Sequence, residues 1–148
     1  MTSPSNPKGS PTGVRRRSRE LALQILFQAE FEPQLNCEQA LALYRDSFDS
    51  EPELWDYTKS IVYGVFTEKK KVDELIQSHS PHWKVERMGL VDRNILRIAT
   101  YELRFMDRDI PSNVAINEAI EVAKRFGTSE SSAFVNGILD GLSKTLHK

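Results

Sequence analysis

The chain has 148 residues, 39% hydrophobic and 28% charged, a balance that suits one soluble globular domain or two small helical halves sharing a core. A formal net charge of −1 excludes a uniformly basic nucleic-acid binder but leaves room for a local basic patch. The single cysteine, Cys37, has no partner for an intrachain disulfide, no stretch approaches the roughly 18 apolar residues needed to cross a bilayer, and the N-terminus lacks a signal peptide's apolar core, so the expected compartment is the cytoplasm.

Residues 1–13 hold three prolines and two glycines among Ser, Thr and Asn. They have little to bury and read as a disordered tail, with order expected from Val14. From Val14 to Phe31 the spacing of Ala22, Ile25, Leu26 and Ala29 predicts a helix that Pro33 ends. Cys37, Ala40, Leu41, Tyr44 and Phe48 repeat at three and four and predict a second. Ser50-Glu51-Pro52-Glu53 reads as a helix start, with Ser50 as cap, Glu53 as its capping-box partner and Pro52 in the first turn. One long helix is expected from there towards His79, with Leu54, Ile61, Val65, Val72 and Ile76 on one side and Pro81 as its stop.

A short helix fits Trp83 to Met88, broken at Gly89. Leu90 to Phe105 follows, with Val91, Ile95, Ile98, Ala99 and Leu103 inward. Asp109-Ile110-Pro111-Ser112 is a turn into Asn113 to Phe126, which buries Ile116, Ala119, Ile120 and Ala123. Gly127 suits a left-handed position after a last turn. Ser129 can cap the final helix, whose stripe is Val135, Ile138, Leu139, Leu142 and Leu146. No segment alternates with the period of a strand, and no repeat recurs at a fixed interval. The expected fold is all-α, a compact bundle of about seven helices in two packed halves, roughly 14–80 and 81–148.

Arg15-Arg16-Arg17-Ser18-Arg19 places four arginines in five positions at a helix start. Like charges repel there and oppose the helix dipole, so local stability does not explain them. Phosphate binding would, since a guanidinium pairs with phosphate oxygens through two hydrogen bonds. A solvated basic end is the alternative. Phe134 lies about 100° from the centre of the last helix's stripe at 3.6 residues per turn. It suits boundary packing or a stacking platform for an unpaired base. Gly137 and Gly141, four apart inside a helix, suggest close approach of another backbone. His79 and His82 lack the further ligands zinc needs. Glu118 and Glu121 read as solvated surface. No phosphate loop, dinucleotide fingerprint or nucleophile elbow is present, so neither a cofactor nor a catalytic site is expected.

Three stretches together resemble the NusB family: Arg15-Arg16-Arg17-Ser18-Arg19-Glu20; Ile95-Leu96-Arg97-Ile98-Ala99-Thr100-Tyr101-Glu102-Leu103; and Val114 to Lys124 with Phe126-Gly127 and Phe134-Val135-Asn136-Gly137-Ile138-Leu139-Asp140. The resemblance spans about Val14 to Leu142. It implies a non-enzymatic role in transcription antitermination, notably on ribosomal RNA operons. It also implies binding of single-stranded boxA RNA together with NusE, a small-subunit ribosomal protein, within the transcription elongation complex. By position, Arg15, Arg16, Arg17 and Arg19 match the family's RNA-binding segment. Phe134 and the loop from Gly127 to Glu130 match a second RNA-contacting region. Phe27, Glu86 and Asp92 fall where the family meets NusE. On this reading, replacing all four arginines weakens RNA binding and leaves the fold intact. Two other readings compete: a helical protein-interaction module with solvated arginines, and the helical RNA-binding domain type that precedes the catalytic domain of some RNA cytosine methyltransferases. The methyltransferase chemistry needs a cofactor-binding sheet and a catalytic cysteine, for which the sequence offers no strand pattern and only Cys37.

Overall fold

Apolar residues spaced three and four apart drive every element of the computed structural model, which describes residues 11–46 and 51–147. Among these described residues seven α-helices follow in order: α1 Pro11–Glu30, α2 Cys37–Arg45, α3 Pro52–Thr67, α4 Lys69–Ser78, α5 Leu90–Phe105, α6 Ser112–Phe126 and α7 Ser131–Leu146. A 3-10 turn, Val85–Arg87, leads into α5. Among the described residues there is no strand. Nor is any described helix long and apolar enough to cross a membrane.

α5 is the hub. It packs on α1, α3, α4, α6 and α7, and its residues 93–100 are all buried. α1 lies across α3 on one side and reaches α5 and α6 on the other. Ile25, Ile61, Ile76, Ile95, Leu96, Leu139 and Leu142 are among the fully buried side chains. Each such burial contributes about 1.5–3 kcal/mol before the entropy cost of ordering the chain. Two polar contacts fix α1 against α3. The Ser18 hydroxyl lies 2.8 Å from the Val14 carbonyl and 3.1 Å from that of Leu54, and Thr58 donates to the Ser18 carbonyl at 3.0 Å.

Several local expectations are corrected. The long third helix is two helices, because Glu68 leaves helical geometry at φ −103°, ψ 19°. The break lets α4 turn its buried Val72 and Ile76 towards α5 and α7. Pro52 does open α3, but the cap position is Glu51, which makes no capping bond and turns its carboxylate to Arg17 instead. Ser50 and Phe48 lie outside the described residues. α2 carries a capping box the sequence reading did not identify: Asn36 accepts from the Gln39 amide at 2.8 Å, and Gln39 accepts from that of Asn36 at 2.9 Å. Ser129 caps nothing. The cap position is Glu130, which makes no capping bond, and Ser131 instead closes the corner before the helix by accepting from the Thr128 amide at 2.9 Å.

The glycines also differ from expectation. Gly127 is extended, φ −95° and ψ −167°, not left-handed. A Cβ there would run into the Ser131 side chain and lie 2.8 Å from the Ala123 carbonyl, so close approach of α6 and α7 requires it. Gly64 has the same role, facing the Tyr101 ring. Gly137 has nothing within 4 Å of its Cβ position, and Gly141 faces the ring of His79, not a backbone.

Candidate nucleic-acid interface

The arginine segment occupies the first turns of α1, and the structure gives its members different tasks. Arg19 is 3% exposed. Its Nε donates to Glu102 at 2.8 Å and its Nη1 to Glu118 at 3.4 Å. Glu102 is 1% exposed and also accepts from the Tyr57 hydroxyl at 2.5 Å. Burial pushes the Glu102 carboxyl up, opposed by the Arg19 charge and the bonds from Tyr57 and Arg19. Burial likewise pushes the Tyr57 hydroxyl up, with the Glu102 charge adding to it, so that hydroxyl stays a donor.

Arg16 sits at the boundary, its side chain 41% exposed. It grips Glu118 with two bonds, Nε to Oε1 at 2.9 Å and Nη2 to Oε2 at 2.7 Å. That hydrogen bond, against a smaller desolvation effect, raises the Arg16 pKa further above neutrality. Arg17, 33% exposed, pairs with Glu51. Among the described residues Arg15 has no carboxylate partner; its guanidinium lies 5.2 Å above the Tyr57 ring centroid. Glu118 is therefore corrected from solvated surface to buried partner of two arginines, while Glu121 is exposed as expected and meets Lys124 at 3.5 Å. Arg16 and Arg19 thus do have a structural explanation that helix propensity alone hid.

The second candidate region stands at the junction of α6 and α7. Gly127 and Thr128 form the tight corner, Glu130 is exposed at the start of α7, and Phe134 is half-buried, one side against the core. α6 ties this corner to α1, since Arg125 donates to Glu20 at 3.1 Å two turns beyond Glu118. The Arg125 guanidinium also covers the Phe126 ring at 5.2 Å. The candidate RNA residues thus lie in the first turns of α1 and around the corner between α6 and α7, with Arg19 in the interior.

The candidate partner residues lie at the far end of α1. Arg15 and Phe27 are twelve positions apart, about 18 Å along a helix. Phe27 packs edge-on to the exposed Phe31, centroids 5.3 Å apart. Glu86 is exposed in the 3-10 turn and Asp92 half-buried in the first turn of α5. A buried network joins these segments. Glu30 accepts from Arg93 at 3.0 Å, Asn94 at 3.0 Å and Arg97 at 2.9 Å, while Arg93 also donates to the Val85 carbonyl at 3.2 Å. Arg97 makes a second, two-bonded pair with Asp73 at 2.8 and 2.9 Å. Burial would raise the Glu30 carboxyl, but the bonds from Asn94 and Arg93 and the charge of Arg97 outweigh it and hold it below its ordinary value.

No group of three or more His, Cys, Asp or Glu side chains among the described residues is placed to hold a metal. His79 spends its Nε2 on the Thr145 hydroxyl at 3.0 Å, and His82 is exposed. Burial pushes the Cys37 thiol up to about 11, with Glu38 adding to the effect, so it is a poor nucleophile.

The NusB family model matches residues 16–144. The chain belongs to the NusB family. Its similarity to the transcription antitermination protein NusB of Bdellovibrio bacteriovorus is 54% identity over 131 residues, 88% of this chain and 96% of that one. Among solved structures, NusB of T. maritima aligns with a TM-score of 0.79 and 40% identity, over 97% of this chain and 93% of that chain. A crystal structure of antitermination factors NusB and NusE in complex with double-stranded RNA aligns with a TM-score of 0.74, over 89% and 97%. At 21% identity that likeness speaks for the NusB fold alone.

Sequence reasoning missed Tyr57, Glu102 and Glu51, and misread Glu118. A signal was available. Arg19 falls on the stripe of Ala22 and Leu26, Glu102 on that of Ile95, Ile98 and Ala99, and Glu118 on that of Ala115, Ala119 and Val122. Charged residues at inward positions of three NusB helices must find one another, because a lone buried charge is too costly.

Proposed function

We propose that the protein is a cytoplasmic transcription antitermination factor that, together with NusE, binds the boxA element of nascent ribosomal RNA. It performs no catalysis. The observation that carries the reading is the run of three partly exposed arginines in the first turns of α1, Arg15, Arg16 and Arg17, of which Arg16 is bonded through Glu118 to α6, the helix that ends at the Gly127 corner. The arginines supply phosphate contacts and Phe134 a ring face for a base. Arg19 supports them from inside. Phe27, Glu86 and Asp92 form the NusE-facing end, where acidic groups suit a basic ribosomal protein.

A second reading, a protein-interaction module without RNA contact, is favoured by one observation: Arg16 and Arg17 already face carboxylates. Binding of a boxA oligonucleotide against a scrambled one, with and without NusE, over a salt series separates the two. Three phosphate contacts predict a slope of log K on log salt of about −2 for a single strand. Equal binding of both oligonucleotides, or a flat salt response, would refute the RNA reading.

A further inference from the structure

The accessible arginines differ in what their N–H groups are doing. Arg16 commits its Nε and Nη2 edge to Glu118, and Arg17 turns Nη2 to Glu51. A phosphate approaching either must share or displace a carboxylate. Arg15 is held in another way, with its guanidinium carbon over the Tyr57 ring, 5.2 Å from the centroid. A guanidinium held by cation–π attraction spends no hydrogen bond on a carboxylate, so its donors stay available for a phosphate fork. Tyr57 is itself fixed. Its hydroxyl donates to Glu102 at 2.5 Å, and the interior Arg19 lies on the same ring at 5.6 Å. One aromatic ring therefore joins the buried charge cluster to the arginine whose donors are uncommitted.

We infer that Tyr57 is a positioning residue for RNA binding, its ring holding Arg15 with the guanidinium edge open to a phosphate. The inference rests on the RNA reading above and refines it: the arginine segment is one presented cation and two carboxylate-paired ones. Presentation lowers the cost of ordering a long side chain on binding. A cation–π contact at a partly exposed site corresponds to about a two- to fivefold change in affinity.

The test is a double-mutant cycle on the full chain, titrated with a boxA-type single-stranded RNA oligonucleotide, with melting temperature followed alongside. Tyr57→Leu is expected to weaken binding about two- to fivefold. The same change in an Arg15→Ala background is expected to add nothing. Tyr57→Phe keeps the ring and is expected to bind RNA like the parent, although it loses the bond to Glu102 and melts earlier. Parent-like binding by Tyr57→Leu, an equal loss in the Arg15→Ala background, or a loss by Tyr57→Phe matching that of Tyr57→Leu would each overturn the inference. A second measurement needs no variant that might misfold: in the parent protein the Arg15 Hδ resonances are expected upfield from the Tyr57 ring current, with and without RNA. Loss of that shift on adding RNA would show the guanidinium leaving the ring and overturn the inference. If Arg15→Ala alone is silent while Arg16→Ala and Arg17→Ala weaken binding, only the Tyr57 inference falls. If all three are silent, the RNA site itself is misplaced.

Discussion

Replacing Arg19 by alanine is expected to damage the fold, not the RNA surface. Its guanidinium is 3% exposed and lies between two buried carboxylates, Glu102 at 2.8 Å and Glu118 at 3.4 Å. Glu118 keeps Arg16 when Arg19 is removed, but Glu102 keeps only the Tyr57 hydroxyl. A carboxyl group at 1% exposure is then left without its counter-charge and with fewer hydrogen bonds. Removing one partner of a buried pair costs about 3–5 kcal/mol. For a chain of this length each kcal/mol lowers the melting temperature by about 2–4 °C, so the variant should melt about 6–20 °C below the parent. Arg15→Ala, at a position without a carboxylate partner, should stay within about 1 kcal/mol of the parent. Thermal and urea unfolding followed by circular dichroism at 222 nm measure both. The double variant Arg19→Met/Glu102→Leu, which removes both charges and keeps apolar volume, should recover most of the loss. A melting temperature for Arg19→Ala within 2 °C of the parent would refute the reasoning. The expectation that all four arginines can be removed without cost to the fold is therefore corrected for Arg19.

Phe134→Leu keeps most of the apolar volume against the core but removes the ring face, so it should lose about ten- to hundredfold in RNA affinity on the stacking estimate with a small change in melting temperature. Unchanged affinity would leave Phe134 a packing residue. Asp92→Lys should weaken binding to NusE in calorimetry and spare RNA binding by the free protein at low salt; equal affinity for NusE would remove Asp92 from the interface. Glu30 has a folded-state pKa below its unfolded one, so its contribution is fully present above the unfolded value and is lost as pH falls through the folded value. Glu30→Gln should accordingly be less stable near neutrality and show a flatter fall of stability with acid; a parallel pH profile for parent and variant would argue against the network. Gly127→Ala should destabilise by about 1–3 kcal/mol in urea unfolding, because its Cβ meets the Ser131 side chain and the Ala123 carbonyl.

Helix type and number were legible in the sequence because periodicity reports burial of one face, and α5 matches its expected bounds at Leu90 and Phe105. What periodicity does not report is where a helix bends without proline or glycine. Glu68 is an ordinary helix former, and only the packing of α4 on α5 and α7 turns the chain there. Caps were legible as residue types but not as positions: Ser129 is a good capping type, yet the cap position of α7 is Glu130, and the capping box that does form lies at Asn36 and Gln39. The arginine segment stood out at once. Its division into one buried, two paired and one stacked member did not, because that depends on Glu102, Glu118, Glu51 and Tyr57, all distant in sequence.

The partners of Arg19 lie 83 and 99 residues further along the chain. During synthesis α1 leaves the ribosome long before either carboxylate exists. Arg17 gains its carboxylate only when residue 51 emerges, Arg19 when residue 102 does and Arg16 when residue 118 does, so α1 cannot settle into its final place before then. Contacts of such long range slow folding, since the intervening chain must be closed before they contribute. The earliest part of the protein to be made is thus among the last to be finished, and nucleic acid near the exit site has its best access to these arginines during that interval.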